Sequence, residues 1–170
     1  MNLQFSIRET KPSDIPAIVE LIHLKAQFDG CPESVEATPR KLENTLFGQK
    51  PLALVFLAEI KGKAIGFVSY HFIYSTFLAQ PGIWLDDLYV LAEYRGNGVG
   101  EALIKHLCQI ARDAGCGRID WTVAAENARG IKFYQRMGAK ISQRLKLFRL
   151  DRGAIAKEVD CVPSLLTEGS

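Results

Sequence analysis

The chain has 170 residues, 48% of them hydrophobic, which suits one ordinary domain with a real core. Its 21 basic and 19 acidic residues leave a net charge of +2 with no basic face or tail, which argues against a nucleic-acid partner. The amino terminus MNLQFSIRET has no apolar leader, no stretch approaches the roughly 20 apolar residues of a membrane span, and Cys31, Cys108, Cys116 and Cys161 lack metal-ligand spacing, so a metal-free cytoplasmic protein is expected.

In chain order, FSIR alternates as a short strand, and KPSDIPAIVELIHLKAQF carries Ile15, Ile18, Val19, Ile22 and Ala26 at helical spacing behind Ser13 as the capping candidate. A second, short helix is predicted in ATPRKLENTLFG, with Thr38 as cap, Pro39 at its first position and Gly48 as its stop. LALVFLAEIKGKAIGFVSYHFIY reads as a hairpin turning at Lys61, Gly62 and Lys63. IWLDDLYVL is the next strand, followed by a glycine loop and a helix from Val99 to Ala114 that Gly115 ends. RIDWTVAA is predicted as a strand, Asn127 to Met137 as a helix closed by Gly138, and AKISQRLKLFRL as a last strand. The reading is one domain over residues 1–150 and a surface tail or partner-contacting arm over 151–170. The order of elements describes an α/β protein, a mixed sheet with helices on its faces.

The loop YRGNGVGE places glycines at 96, 98 and 100 at the mouth of a helix. Such a terminus offers unpaired N–H groups and partial positive charge, and glycine lets a ligand approach bare backbone, so a phosphate is the natural occupant. No GxxxxGK[ST] can be drawn through the stretch, and GxGxxG fails because Glu101 stands where its last glycine belongs, although Asp120 sits about twenty residues on. The remaining pattern is Arg-x-x-Gly-x-Gly, formed by Arg95, Gly98 and Gly100.

With that pattern, the strand LDDLYVLAEYRGNGVG, the strand WTVAAEN and the ending NARGIKFYQRMGA, the chain resembles the GCN5-related N-acetyltransferases over nearly its whole length. WLDDLYVLAEYRGNGVG and VAAENARGIKFYQRMGA resemble most closely the diamine acetyltransferases, the spermidine/spermine type and its thialysine-acetylating relatives. The resemblance implies a mostly antiparallel sheet splayed at the acetyl-CoA site, acetyl-CoA as cosubstrate, a small primary amine as acceptor and a homodimer. It implies that Arg95, Gly96, Asn97, Gly98, Val99, Gly100 and Glu101 grip the pyrophosphate. The backbone of Leu88, Tyr89, Val90 and Leu91 is then expected to bind the pantetheine arm, and Asn127 to contact that arm as well as cap its helix.

An alkylamine with a pKa near 10.4 is almost wholly protonated at neutral pH, so its proton needs a route out before the nitrogen can attack a thioester. Asp86 matches the position of the family's proposed base, with a shorter side chain than the glutamate of the diamine enzymes, and Asp87 is the second candidate. Regular pleating would turn these neighbours to opposite faces. Tyr134, seven residues after Asn127 and so on the same helix face, is the expected general acid for the leaving sulfur. Phe28 and Asp29 align with an aromatic and an acid near the amine, joining Asp86 as substrate-binding candidates. His71, Tyr74 and Trp84 suit a pocket wall and sheet packing equally and receive no catalytic role. Gln143, Arg144 and Lys146 stand where the diamine enzymes carry acids, which lowers spermidine and favours a shorter diamine, a lysine-like amino acid or another amine bearing a carboxylate. A protein N-terminal or lysine acetyltransferase and a non-catalytic acyl-CoA-binding module remain as alternatives.

Overall fold

The computed structural model describes residues 3–160, in two compact units, one ending at Phe133 and one beginning at Tyr134. The first is built on a five-stranded sheet in sequence order: β1 (Ser6–Glu9), β2 (Leu54–Ile60), β3 (Lys63–Ser75), β4 (Gln80–Val90) and β5 (Ile119–Asp120). The first four strands are antiparallel and β5 runs parallel to β4. The predicted hairpin turns at Lys61 and Gly62, both at positive φ, the pairing that a two-residue turn needs to match strand twist.

Helices cover both faces. α1 (Ile15–Phe28) lays Ile18 and Leu21 on Val55, Leu57, Phe67 and Tyr89, a cluster that α2 (Pro39–Leu46) borders with Leu42 and Leu46. α3 (Val99–Asp113) lies on the opposite face, where the His106 ring meets the edge of Phe56 at 4.5 Å. Thr38 caps α2 as predicted, accepting the Lys41 N–H at 3.3 Å, and Pro39 is the first helical residue.

The start of α1 differs from prediction. A 3₁₀ turn, Pro12–Asp14, precedes it, and the buried Asp14, in place of Ser13, stands at the N-cap position of α1 without a side-chain cap bond, its carboxylate instead accepting the Lys11 N–H at the head of the turn at 2.8 Å. The same carboxylate receives both arms of the Arg8 guanidinium at 2.7 and 2.9 Å, while Arg8 Nε reaches Glu59 at 2.8 Å. An acid serves here because it can satisfy a backbone donor and a guanidinium fork together, which a hydroxyl cannot.

Two predicted strands are shorter or missing. Over RIDWTVAA only Ile119 and Asp120 pair, because β4 leaves β5 after Trp84 and a strand cannot extend where its neighbour diverges. Over residues 139–150 no strand forms, and Ile141, Leu145, Leu147, Phe148 and Leu150 are exposed. Alternation in sequence makes a strand only with a partner's backbone alongside, and among the described residues none pairs there. α4 (Ala128–Arg136) matches its prediction, whereas α5 (Arg152–Asp160) is a helix inside the expected tail. Its start is set by Asp151, whose carboxylate accepts the Ala154 N–H at 2.8 Å. The rest of that tail, with Cys161, lies outside the described residues.

Arg8 and, in smaller part, the Lys11 N–H hold the Asp14 carboxyl below its usual range despite burial, so this group stabilises the fold above the ordinary aspartate pKa and stops doing so as pH falls through its lowered value. Asp14→Asn is expected to cost about 2 kcal/mol at neutral pH, with the two proteins converging in stability in strong acid; denaturant unfolding across pH checks this.

Candidate active site

The ladder between β3 and β4 contains one irregularity. Ser69 pairs with Asp87 and Tyr70 with Leu85, so Asp86 is an extra residue with no counterpart on β3. This β-bulge overturns the expectation that Asp86 and Asp87 face opposite ways. Counting along β4 from Trp84, which pairs with His71, and back from Tyr89, which packs under α1, both carboxylates fall on the face that α1 covers. Their contacts agree: Asp87 meets Lys25 Nζ of α1 at 2.9 Å, and Asp86 meets His71 Nδ1 of β3 at 3.0 Å. Both carboxylates remain about a third exposed, at 33% and 38%.

The bulge also changes which backbone groups face outward. Ahead of it, the Ile83 N–H points to β5 and bonds the Arg118 carbonyl at 3.0 Å. Beyond it, the Leu91 N–H points to β3, so by alternation the outward positions are Leu88 and Val90. These lie past the last β4–β5 pair, at the splay. The Val90 carbonyl receives Arg95 Nε at 2.7 Å, and the Arg95 guanidinium lies over Phe28 at 4.4 Å and Tyr89 at 5.2 Å. The Phe28 and Tyr89 rings are 6.2 Å apart. The end of α1, the end of β4 and the glycine loop are thereby joined at one place.

The three glycines differ in what they do. Gly96 and Gly98 have φ of +82°, a conformation that costs other residues roughly 1–2 kcal/mol. At Gly100 a Cβ would meet Phe133 at 3.6 Å, an ordinary contact, so the fold itself does not demand glycine there. Asn97 binds inward, its amide donating to the Tyr94 and Arg95 carbonyls, both at 3.3 Å. Gly98 caps α3 without a side chain, and the first helical bond is Ala102 N–H to the Gly98 carbonyl. The turn containing Val99, Gly100 and Glu101 therefore directs its N–H groups at the loop. The Glu101 carboxylate is engaged by Lys105 at 2.7 Å.

Asn127 caps α4, accepting the Gly130 N–H at 2.8 Å, and Tyr134 stands half-buried in the same helix, two turns on. Asp29, at the end of α1, is ion-paired with Lys25, which thus bridges Asp29 and Asp87. Partial burial opposes the charge of Lys25, but its bonds to the two carboxylates outweigh that and raise its pKa. Lys25 and the His71–Asp86 pair are the site features sequence reading missed. The i,i+4 spacing of Lys25 and Asp29 is legible in the chain, whereas the two contacts to β4 depend on register.

Residues 18–139 match the model of the acetyltransferase (GNAT) family. The chain is 32% identical over 142 residues to a thialysine N-epsilon-acetyltransferase of Sus scrofa, an overlap of 79% of this chain and 83% of the relative. It is 28% identical to an L-ornithine N5-acetyltransferase of Arabidopsis thaliana, covering 88% and 85%. Among solved structures, an integron cassette protein from V. cholerae superposes with a TM-score of 0.77 at 24% identity over 92% of this chain and 98% of that one. The chain belongs to the acetyltransferase (GNAT) family and is an acetyl-CoA-dependent N-acetyltransferase with the splayed sheet of that fold.

The glycine geometry separates two effects. Gly98→Ala is expected to lower stability by about 1–2 kcal/mol and to raise the KM for acetyl-CoA. Gly100→Ala is expected to leave Tm nearly unchanged while raising that KM, which thermal unfolding and initial-rate kinetics together check.

Proposed function

We propose that this enzyme acetylates the primary side-chain amine of a small molecule that also carries a carboxylate, a lysine-like or ornithine-like amino acid, by direct attack of the amine on the thioester of acetyl-CoA. The observation that carries this reading is the Lys25 bridge. Asp29 and Asp87, two of the acids available to a polyamine, are already engaged by a lysine, so the acceptor side is less acidic than a multiply charged polyamine favours. The two relatives named for thialysine and ornithine acetylation point to amines of the same kind.

Cosubstrate binding divides between backbone and loop. The outward groups of Leu88 and the Val90 N–H suit the amides of the pantetheine arm as a neighbouring strand would, the Val90 carbonyl being held by Arg95. The first turn of α3, with Gly96, Asn97, Gly98, Val99, Gly100 and Glu101 around it, suits the pyrophosphate, and Arg95 adds a positive charge beside it. Asn127 keeps its cap through Oδ1 and has Nδ2 to offer the arm.

Of the paired aspartates, Asp86 is assigned to the proton path and Asp87 to holding Lys25. Tyr134 is assigned to protonating the leaving sulfur, a role that suits a phenol, whose ordinary pKa near 10 keeps it protonated at neutral pH. Phe28 and Asp29 border the acceptor side from the end of α1. The resemblance to diamine acetyltransferases supports a homodimer, and the free thiols of Cys31, Cys108 and Cys116 suit the reducing cytoplasm.

Thiol release from acetyl-CoA with a panel of amines tests the acceptor. The expected outcome is higher kcat/KM for lysine, thialysine or ornithine than for spermidine, and a preference for spermidine overturns the assignment. In Tyr134→Phe, kcat is expected to fall about 100-fold with little change in the Kd of acetyl-CoA measured by calorimetry. Parallel loss of both would show that Tyr134 is a binding group.

A further inference from the structure

We propose that the proton acceptor is not Asp86 itself but His71, held and polarised by Asp86. This rests on the acetyl-transfer reading above and names the atom that performs its first step. His71 Nδ1 lies 3.0 Å from the Asp86 carboxylate, and an ionised carboxylate only accepts, so the bonded nitrogen carries the proton and Nε2 presents its lone pair. The pairing follows from the bulge. His71 faces Trp84 one step before the register shift, and the extra residue places the Asp86 carboxylate on the same face of the sheet, within reach of its ring.

Both side chains keep over a third of their surface open, 37% and 38%, so the pair is available to an incoming amine. Of the other charged groups on that face, Asp87 from β4 and Lys25 and Asp29 from α1 pair with one another, and the Arg95 guanidinium lies over Phe28 and Tyr89. As a chemical class, an imidazole is a better proton acceptor for an alkylammonium than a carboxylate is, which favours the ring over the acid that holds it.

The step balances as follows. The substrate ammonium gives one proton to His71 Nε2, and the freed lone pair bonds to the thioester carbon. The tetrahedral adduct collapses with cleavage of the C–S bond. The nitrogen's second proton is lost as the departing thiolate takes one from the Tyr134 phenol, which is reprotonated in turn. The imidazolium passes its proton to water, so the products are the amide, free thiol and one proton. His71 is the catalytic residue of this pair and Asp86 its positioning residue.

The test compares wild type, His71→Gln and Asp86→Asn by kcat/KM over about pH 5.5 to 9.5, with acetyl-CoA affinity and Tm measured alongside. His71→Gln is expected to lose about 100-fold and the acid limb of the profile, with affinity and Tm unchanged. Asp86→Asn is expected to keep the acid limb while kcat/KM falls, because the ring loses the carboxylate that holds it. If His71→Gln keeps the limb while Asp86→Asn abolishes it, Asp86 is the base and the proposal falls. Nitrogen NMR of the His71 ring, which needs no substrate, is expected to show the proton fixed on Nδ1 in wild type and shared between the two nitrogens in Asp86→Ala; an unchanged tautomer overturns the pairing. A wild type that releases no thiol with any amine would count against the proposed acceptor, and the NMR comparison would still decide the pair.

Discussion

The chain's functional end is organised by an unfilled demand of the main chain. A backbone N–H or C=O cannot be left dry and unpaired without a cost close to that of a lost hydrogen bond. Yet at one place β4 passes beyond its last contact with β5, and just afterwards α3 begins without a side-chain cap. A strand edge and a helix mouth, each with polar groups aimed outward, thus succeed one another across the turn Ala92–Tyr94 and the glycine loop. On the proposed reading, extended amides and a pyrophosphate answer those two demands in the order in which acetyl-CoA carries them, so that backbone more than side chains does the recognising.

The remainder of the first unit keeps that opening from closing. α1 and α2 brace one face and α3 the other, so β4 is gripped through Tyr89 on one side while its edge stays open. Arg95 reinforces this by tying the loop back to the Val90 carbonyl and covering Phe28 and Tyr89, so the loop is anchored before any ligand arrives. Preorganisation of this kind lowers the ordering cost of binding.

Much of this was legible in the chain. Thr38-Pro39, Lys61-Gly62, Gly96 and Gly98 each act through local backbone geometry, and each appears where the residue types require. What was not legible depends on neighbours distant in sequence. The truncation of RIDWTVAA at Asp120 reflects where β4 turns away, and the missing strand over 139–150 reflects the want of a partner ladder. The orientation of Asp86 and Asp87 hangs on a one-residue register shift that no alternation pattern reveals, and with it go the contacts of Lys25 and His71. The substitution of Asp14 for Ser13 at the head of α1 is of the same kind, because Arg8 on β1 and Glu59 on β2 decided it.

The bulge separates architecture from chemistry within a single strand. Every other residue of β4 from Gln80 to Val90 is matched to one on β3, and a change there is felt across the ladder; Asp86 alone has no opposite number. Were it excised, Leu85 and Asp87 would still meet Tyr70 and Ser69, and the sheet would close over the gap as an ordinary hairpin. The residue assigned to the proton path therefore occupies a supernumerary position, one that the scaffold can vary, lengthen or pair with a new neighbour without renegotiating its core. The chemistry offered at that position can thus change while the ladder that carries the strand stays as it is.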